Sequence, residues 1–114
     1  MSKIMIIGGG ASGLACAVQL KMLSPKSEVT ILEQNDRIGK KILKTGNGRC
    51  NISNLNISEE YYNNQDFMKQ CLKQFSVADL NSFFLKLGLV LKSDDYSRRY
   101  PYSEKASTVL DVFL

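Results

Sequence analysis

Three glycines and one acidic residue stand at a spacing that suits a dinucleotide. Gly8, Gly10 and Gly13 follow a short apolar run, and Glu33 comes 20 residues after Gly13. The first glycine permits a tight turn, the second lets backbone approach a pyrophosphate, and the third lets a helix pack closely on a strand. The helix N-terminus offers free N–H groups to the phosphates, and Glu33 can accept hydrogen bonds from ribose hydroxyls. FAD and NAD share this fingerprint, and a glycine-rich turn without a ligand is the simpler alternative.

The polar stretch GKKILKTGNGRCNISN, residues 39–54, favours FAD over NAD. A glycine, then lysines and a threonine, fall 6 to 12 residues after the ribose acid. FAD-binding domains place such a loop along the pyrophosphate and the ribityl chain, whereas an NAD-binding domain usually enters a second crossover helix. Lys40 and Lys41 form either a solvated pair or a phosphate contact, and we expect at least one of them to face the phosphates.

The elements that must position these residues begin with a β–α–β unit. The run IMII, residues 4–7, predicts a strand buried on both faces, and EVTILE, residues 28–33, predicts a second strand. The intervening segment predicts a helix that ends before Pro25. One face of that helix carries Leu14, Ala15, Val18 and Met22. Two parallel strands joined by a helix require a crossover, and a right-handed one is expected.

Residues 59–88 predict an antiparallel helix pair with apolar stripes from Phe67 to Phe75 and from Val77 to Leu87, both assigned to the core. Ser76 and Asp79 form a capping-box pattern, and Gly88 stands where a helix ends. In residues 89–114, LVLKS predicts a strand and RRYPY an extended piece. A last helix is predicted with Ser103 as its cap.

That last helix carries no stop signal before Leu114. We therefore expect the chain to be the N-terminal part of a longer protein, with the substrate domain outside it. The predicted segments are 1–58 with the β–α–β unit and the polar loop, 59–88 with the helix pair, and 89–114 with the strand, the extended piece and the start of the last helix. The apolar end is expected to favour self-association.

Composition limits the class of protein. The 114 residues make one domain at most, and hydrophobic and charged shares of 44% and 23% are ordinary for a globular protein. The net charge of +4 is spread along the chain, so no nucleic-acid surface is predicted. The sequence has three cysteines without CxxC spacing and no histidine, so no metal site is predicted. It shows no signal or membrane segment, and the odd number of cysteines fits a reducing compartment, so a cytoplasmic protein is predicted.

Three stretches, GGGASGLACA, LEQNDRIGKKILKTGNGRCNISN and RRYPYSEKASTVLDVFL, resemble the N-terminal part of the BaiN-like NAD(P)/FAD-dependent oxidoreductases. These proteins are also described as the aminoacetone-oxidase-type FAD-binding family. The resemblance is weakest in the helix pair, and Asn47 departs from the small residue usual at its position. It implies an α/β, Rossmann-like FAD-binding domain, present here as an incomplete segment.

The same resemblance assigns residues to the two halves of FAD. The expected cofactor-binding residues are Gly8, Gly10, Ser12, Gly13, Glu33, Gln34, Lys40, Lys41, Thr45, Gly46, Gly48 and Arg49. Those up to Gln34 would hold the ADP half, and those from Lys40 onwards the pyrophosphate and flavin side.

Cys50 has two interpretations. Beside Arg49 it is a candidate redox or nucleophilic thiol, but without a CxxC partner or a histidine we favour a packing role. Cys16 and Cys71 are assigned to the core.

The function implied is hydride transfer through FAD, with NAD(P)H as reductant by resemblance and with an unknown small-molecule substrate. The alternatives are an NAD-binding dehydrogenase domain and a non-catalytic Rossmann-like module. The 114 residues alone are expected to bind FAD weakly or not at all and to show no turnover.

Overall fold

A parallel β–α–β unit opens the chain, as predicted. The computed structural model describes residues 2–114, so Met1 of the predicted segment 1–58 lies outside the described residues. Strand β1 (Lys3–Ile7) runs parallel to strand β2 (Glu28–Leu32), and helix α1 (Ala11–Leu23) connects them. The register places Ile4 opposite Val29 and Ile6 opposite Ile31.

Only one face of this two-stranded sheet is covered among residues 2–114. Ile6 lies against α1 near Gly13, whereas the side chains of Met5 and Ile7 are 63% and 79% exposed. The prediction that strand 4–7 is buried on both faces is therefore wrong for the described chain. Burial alternates because successive side chains point to opposite faces, and α1 covers just one of them.

A second, antiparallel sheet holds the polar loop in place. Strands β3 (Ser53–Asn54), β4 (Leu91–Ser93) and β5 (Arg98–Pro101) pair in the order β3-β5-β4. The predicted strand and extended piece correspond to β4 and β5. Arg99 pairs with Ser53 on one side and Ser93 on the other, so β5 joins the loop to the later part of the chain.

Helices α2 (Gln65–Gln74) and α3 (Val77–Lys86) form where the helix pair is predicted. The capping box at α3 is confirmed, because the Ser76 hydroxyl accepts a hydrogen bond from the Asp79 N–H at 3.2 Å and the Asp79 carboxylate accepts one from the Ser76 N–H at 2.8 Å. Gly88 follows α3 with a φ of +87°, which confirms the predicted stop.

The core assignment of the α2 stripe is wrong. No residue of α2 is buried, and the side chains of Phe67 and Phe75 are 63% and 49% exposed. The helix contacts mainly the short 3-10 turn Glu59–Tyr61, so its apolar face has no covering layer within residues 2–114.

The predicted cap of the last helix is also wrong. Helix α4 (Ala106–Phe113) begins after Lys105, and no side chain caps it. Ser103 instead accepts a hydrogen bond from the Lys105 N–H at 3.2 Å and shares one with Thr108 at 2.8 Å. The intervening Glu104 has a φ of +58°, which turns the chain before the helix starts.

The core lies between α1, α3, α4 and the 3-10 segment Ile42–Gly48. Its buried members are Leu14, Ile42, Cys50, Phe84, Leu89, Ala106, Val109 and Leu110. Cys71 is partly buried, but Cys16 is exposed, so its core assignment is wrong. Cys16 follows the buried Leu14 by two positions, about 200° round the helix, which turns it towards solvent. None of the helices in residues 2–114 is long and apolar enough to cross a membrane.

Candidate cofactor site

The turn between β1 and α1 has a conformation that requires glycine. Gly8 has a φ of +102°, and its N–H donates to the Leu32 carbonyl at 2.7 Å, which ties the turn to the end of β2. A Cβ atom on Gly13 would lie 2.0 Å from the Gly8 carbonyl oxygen, so α1 packs where no side chain fits. A Cβ atom on Gly10 would meet nothing within 4 Å, so the space above Gly10 is open.

Glu33 is fixed against this turn. One of its carboxylate oxygens accepts a hydrogen bond from the Gly9 N–H at 2.9 Å, and the other accepts one from the Asn35 N–H at 2.8 Å. The hydrogen bonds from Asn35 and Gly9 lower the pKa of Glu33, so the side chain is an anion near neutral pH. Each oxygen keeps a lone pair that can accept from a further donor such as a ribose hydroxyl.

A cavity of about 420 Å³ lies over the turn and the end of β2. It brings together six of the predicted residues, Gly8, Gly10, Glu33, Gln34, Lys40 and Lys41. The Gly39 N–H donates to the Gly9 carbonyl at 2.7 Å, and this contact folds the lysine segment back over the turn. Lys40 lies 3.8 Å from Asp36 in an exposed pair that leaves it accessible. Asn35 and Arg37 also line the cavity and were missed, although an arginine four residues after Glu33 was a signal for a further cation.

The loop that contains Gly46 and Gly48 follows a tight path through the left-handed region of backbone conformation. Gly46, Asn47, Gly48 and Cys50 have φ values of 54°, 56°, 83° and 59°. Asparagine tolerates the left-handed region better than other non-glycine residues, which accounts for Asn47 at its unusual position. A Cβ atom on Gly46 would lie 2.6 Å from the Asn51 nitrogen and 3.3 Å from the Tyr100 ring, so the loop rests on that ring.

Arg49 is held by residues from much later in the chain. Its guanidinium lies 4.5 Å from the centre of the buried Tyr100 ring and 3.5 Å from the Glu104 carboxylate. Glu104 also pairs with Lys92 at 3.2 Å. Sequence reasoning missed Tyr100 and Glu104, because only the pairing of β5 with β3 brings them under the loop.

A larger cavity of about 630 Å³ lies on the other side of the α1 N-terminus. Its walls are mainly apolar, with Phe83 and Phe113 among them, and Ser12, Thr45 and Cys50 line it as well. The predicted residues are therefore divided, because Ser12 and Thr45 face this cavity and not the one over the glycine turn.

Cys50 is buried, and this burial raises the pKa of its thiol, although a hydrogen bond with Thr45 acts in the opposite direction. A raised thiol pKa leaves little thiolate near neutral pH. The environment supports a packing role, and the role of Cys50 stays a prediction.

The residues over the turn fit the phosphate and ribose of a dinucleotide. Gly10, the N-cap of α1, offers no side chain, so the first N–H groups of the helix are left for another acceptor. These groups adjoin the open space above Gly10, and Lys40 and Lys41 supply positive charge at the same cavity. The free N–H groups, the lysines and the open space above Gly10 suit an anion, and Glu33 suits a hydroxylated sugar attached to it.

The parallel β–α–β unit, its glycine turn and the acid that follows β2 define a Rossmann-type domain. The chain belongs to the family described as the HI0933-like protein Rossmann domain, whose model matches residues 2–114.

Two similar proteins have assigned activities. The chain is 44% identical over 114 residues to 3-dehydro-bile acid delta(4,6)-reductase of Clostridium scindens, covering 98% of this chain and 28% of that protein. It is 38% identical over 90 residues to ribosomal RNA dihydrouridine synthase of Haemophilus influenzae, covering 77% of this chain and 22% of that protein. The chain thus spans about a quarter of the length of these curated relatives, one of which is a reductase.

Proposed function

We propose that this chain is the cofactor-binding segment of a FAD-dependent oxidoreductase. The observation that carries the proposal is the hydrogen bond of 2.9 Å from the Gly9 N–H to Glu33, because it sets the ribose acid beside the phosphate turn. Membership of the HI0933-like family supports the same reading. The resemblance of segment 39–54 to FAD-binding loops favours FAD over NAD.

Each part of the chain then has a separate task. The open turn at Gly10 and the α1 N-terminus bind the pyrophosphate, and Glu33 accepts from the ribose. Lys40 and Lys41 offset phosphate charge, while the loop from Thr45 to Arg49 lines the flavin side. FAD supplies hydride transfer when bound, so the protein has to bind, orient and shield it. We propose NAD(P)H as the reductant and the cytoplasm as the setting.

The reaction we propose is the reduction of a carbon–carbon double bond. The names of the two relatives describe the loss of such bonds, in a 3-dehydro bile acid and in a uridine of ribosomal RNA. The bile acid reductase is matched over 98% of this chain and the RNA enzyme over 77%, which favours a small-molecule substrate. The large, mainly apolar cavity that adjoins Thr45 and Cys50 is compatible with an apolar ring system.

The test uses the protein expressed from its full reading frame. We expect it to retain FAD through purification, to show the absorbance of oxidised flavin, and to lose that absorbance when NADH or NADPH is added without oxygen. A Gly10→Val variant is the matched control, since its side chain would fill the open space above the turn. Tight binding of NAD with no affinity for FAD would establish the dehydrogenase alternative.

A further inference from the structure

Three of the five tyrosines of this chain line one cavity outside the proposed cofactor site. This tyrosine cavity has a volume of about 520 Å³ and is lined by Asn54, Asn56, Ile57, Tyr61, Tyr62 and Tyr96. Tyr61 and Tyr96 are each 76% exposed, so these rings present their surfaces to solvent and not to the core. Exposed aromatic surface that converges on one cavity is available to a ligand.

The two chain segments that form the cavity are fixed to each other. The Leu55 N–H donates to the Ser97 carbonyl at 2.9 Å, and the Asn54 amide donates to the Tyr96 carbonyl at 3.3 Å. The Asn54 side chain also accepts from the Asn56 N–H at 2.8 Å. Because segments 54–62 and 96–97 are joined through these contacts, the aromatic walls have a defined backbone arrangement.

The charges along these segments are mainly negative, although the whole chain has a net charge of +4. Glu59 and Glu60 directly precede Tyr61, and Asp94 and Asp95 directly precede Tyr96. The one cation in segments 54–62 and 94–98 is Arg98, which hydrogen-bonds the Asp94 carboxylate at 2.6 Å. Among the described residues Glu59, Glu60 and Asp95 have no ion pair, so the net charge of these segments disfavours a phosphate or carboxylate ligand.

Tyr96 already holds a cation. The Arg98 guanidinium lies 5.0 Å from the centre of its ring, within the distance at which the ring quadrupole attracts a positive charge. The same attraction operates at any other tyrosine face in the cavity that is free to meet a ligand. Aromatic faces, combined with the negative net charge of the chain segments that carry them, favour a cation over a neutral group of the same size.

We propose that the tyrosine cavity binds an organic cation of the trimethylammonium type. A quaternary ammonium group has no N–H to satisfy, so it pairs with aromatic faces at a lower desolvation cost than a primary amine. Asn56 lines the same cavity and can accept from a hydroxyl on the ligand. This site is separate from the proposed FAD site and does not depend on it.

The test compares choline with 3,3-dimethyl-1-butanol, a neutral molecule of the same shape in which carbon replaces the charged nitrogen. Calorimetric titration of the protein with each should show choline binding at least roughly tenfold more tightly. N-trimethyl-lysine carries the same group, and a comparison with choline shows whether a free metabolite or a modified side chain is the better source. Uridine monophosphate tests whether an anionic ligand binds instead, and we expect it not to bind.

Variants make the assignment specific. Tyr61→Leu and Tyr96→Leu should each weaken choline binding several-fold without unfolding, because both side chains are exposed. Tyr102→Leu is the matched control, since Tyr102 is 69% exposed and lies outside the cavity. Replacing Glu59 and Glu60 with glutamine should also weaken binding. The proposal would be overturned if choline did not bind, or if choline and its neutral analogue bound equally. It would also be overturned if only Tyr102→Leu lost binding, or if uridine monophosphate bound preferentially.

Discussion

The close approach of α1 to the glycine turn makes Gly13→Ala a sharp test of the fold. The added Cβ atom would lie 2.0 Å from the Gly8 carbonyl oxygen and 3.1 Å from its carbon. An ordinary contact is 3.4 Å or longer, so the helix and the turn must separate by about 1.4 Å, because backbone atoms cannot rotate away as a side chain can. Overpacking of this kind costs about 3 kcal/mol at the upper end of its usual range. The better helix propensity of alanine stabilises the helix by about 1 kcal/mol, so the free energy of unfolding should fall by about 2 kcal/mol in total.

The assay is urea denaturation followed by far-ultraviolet circular dichroism, with Gly10→Ala as the matched control. A Cβ atom on Gly10 meets nothing within 4 Å, and Gly10 has a φ of −83°, which alanine adopts freely. Its only expected cost is the poorer N-cap, about 1 kcal/mol or less. An unfolding free energy for Gly13→Ala equal to that of Gly10→Ala would refute the close packing inferred here.

Further variants address the cofactor, the thiols and the helix cap. Glu33→Ala in the full-length protein should weaken FAD binding by roughly 10- to 100-fold, because hydrogen bonds to a charged carboxylate are lost; unchanged affinity by titration would remove Glu33 from the ribose role. The Cys50→Ser variant should retain its flavin and most of its turnover. In the native protein, iodoacetamide should modify the exposed Cys16 well before the buried Cys50, which mass spectrometry of the labelled peptides would show. The pKa of Asp79 is lowered from 3.8 by hydrogen bonds from Ser76, so its stabilising effect is present above that pH and is lost as pH falls through the lower folded value. Stabilities of the native protein and of Asp79→Asn should therefore converge in acid, and a constant difference would contradict the capping box.

Local signals in the sequence were sufficient for most of the helices and strands and for the conformation of the glycine turn. Gly8 and Gly13 come together through one short strand–turn–helix connection, and Glu33 reaches the turn because β2 pairs with β1. The capping box at Ser76 and the stop at Gly88 are equally local, since each is satisfied within a few residues.

Errors arise where burial or a contact depends on a distant surface, and at Ser103 the local backbone geometry is the cause. The α2 stripe has helical periodicity, but periodicity does not say whether a layer covers Phe67, and 63% of that side chain is exposed. Tyr100 and Glu104 hold Arg49 only because β5 pairs with β3, a contact across more than 40 residues that no local pattern encodes. Ser103 has the residue type of a cap, but the left-handed Glu104 moves the helix start to Ala106.

The glycine turn, Glu33 and the following loop are the part of the chain that we propose to bind FAD. The most direct measurement is the visible absorbance and FAD content of the protein expressed from its full reading frame, compared with its Gly10→Val variant. We predict close to one FAD per chain in the native protein and almost none in the variant, with both proteins folded by circular dichroism. Equal flavin content in the two proteins would place the phosphates elsewhere, and a flavin-free native protein that cannot be loaded with FAD would contradict the account.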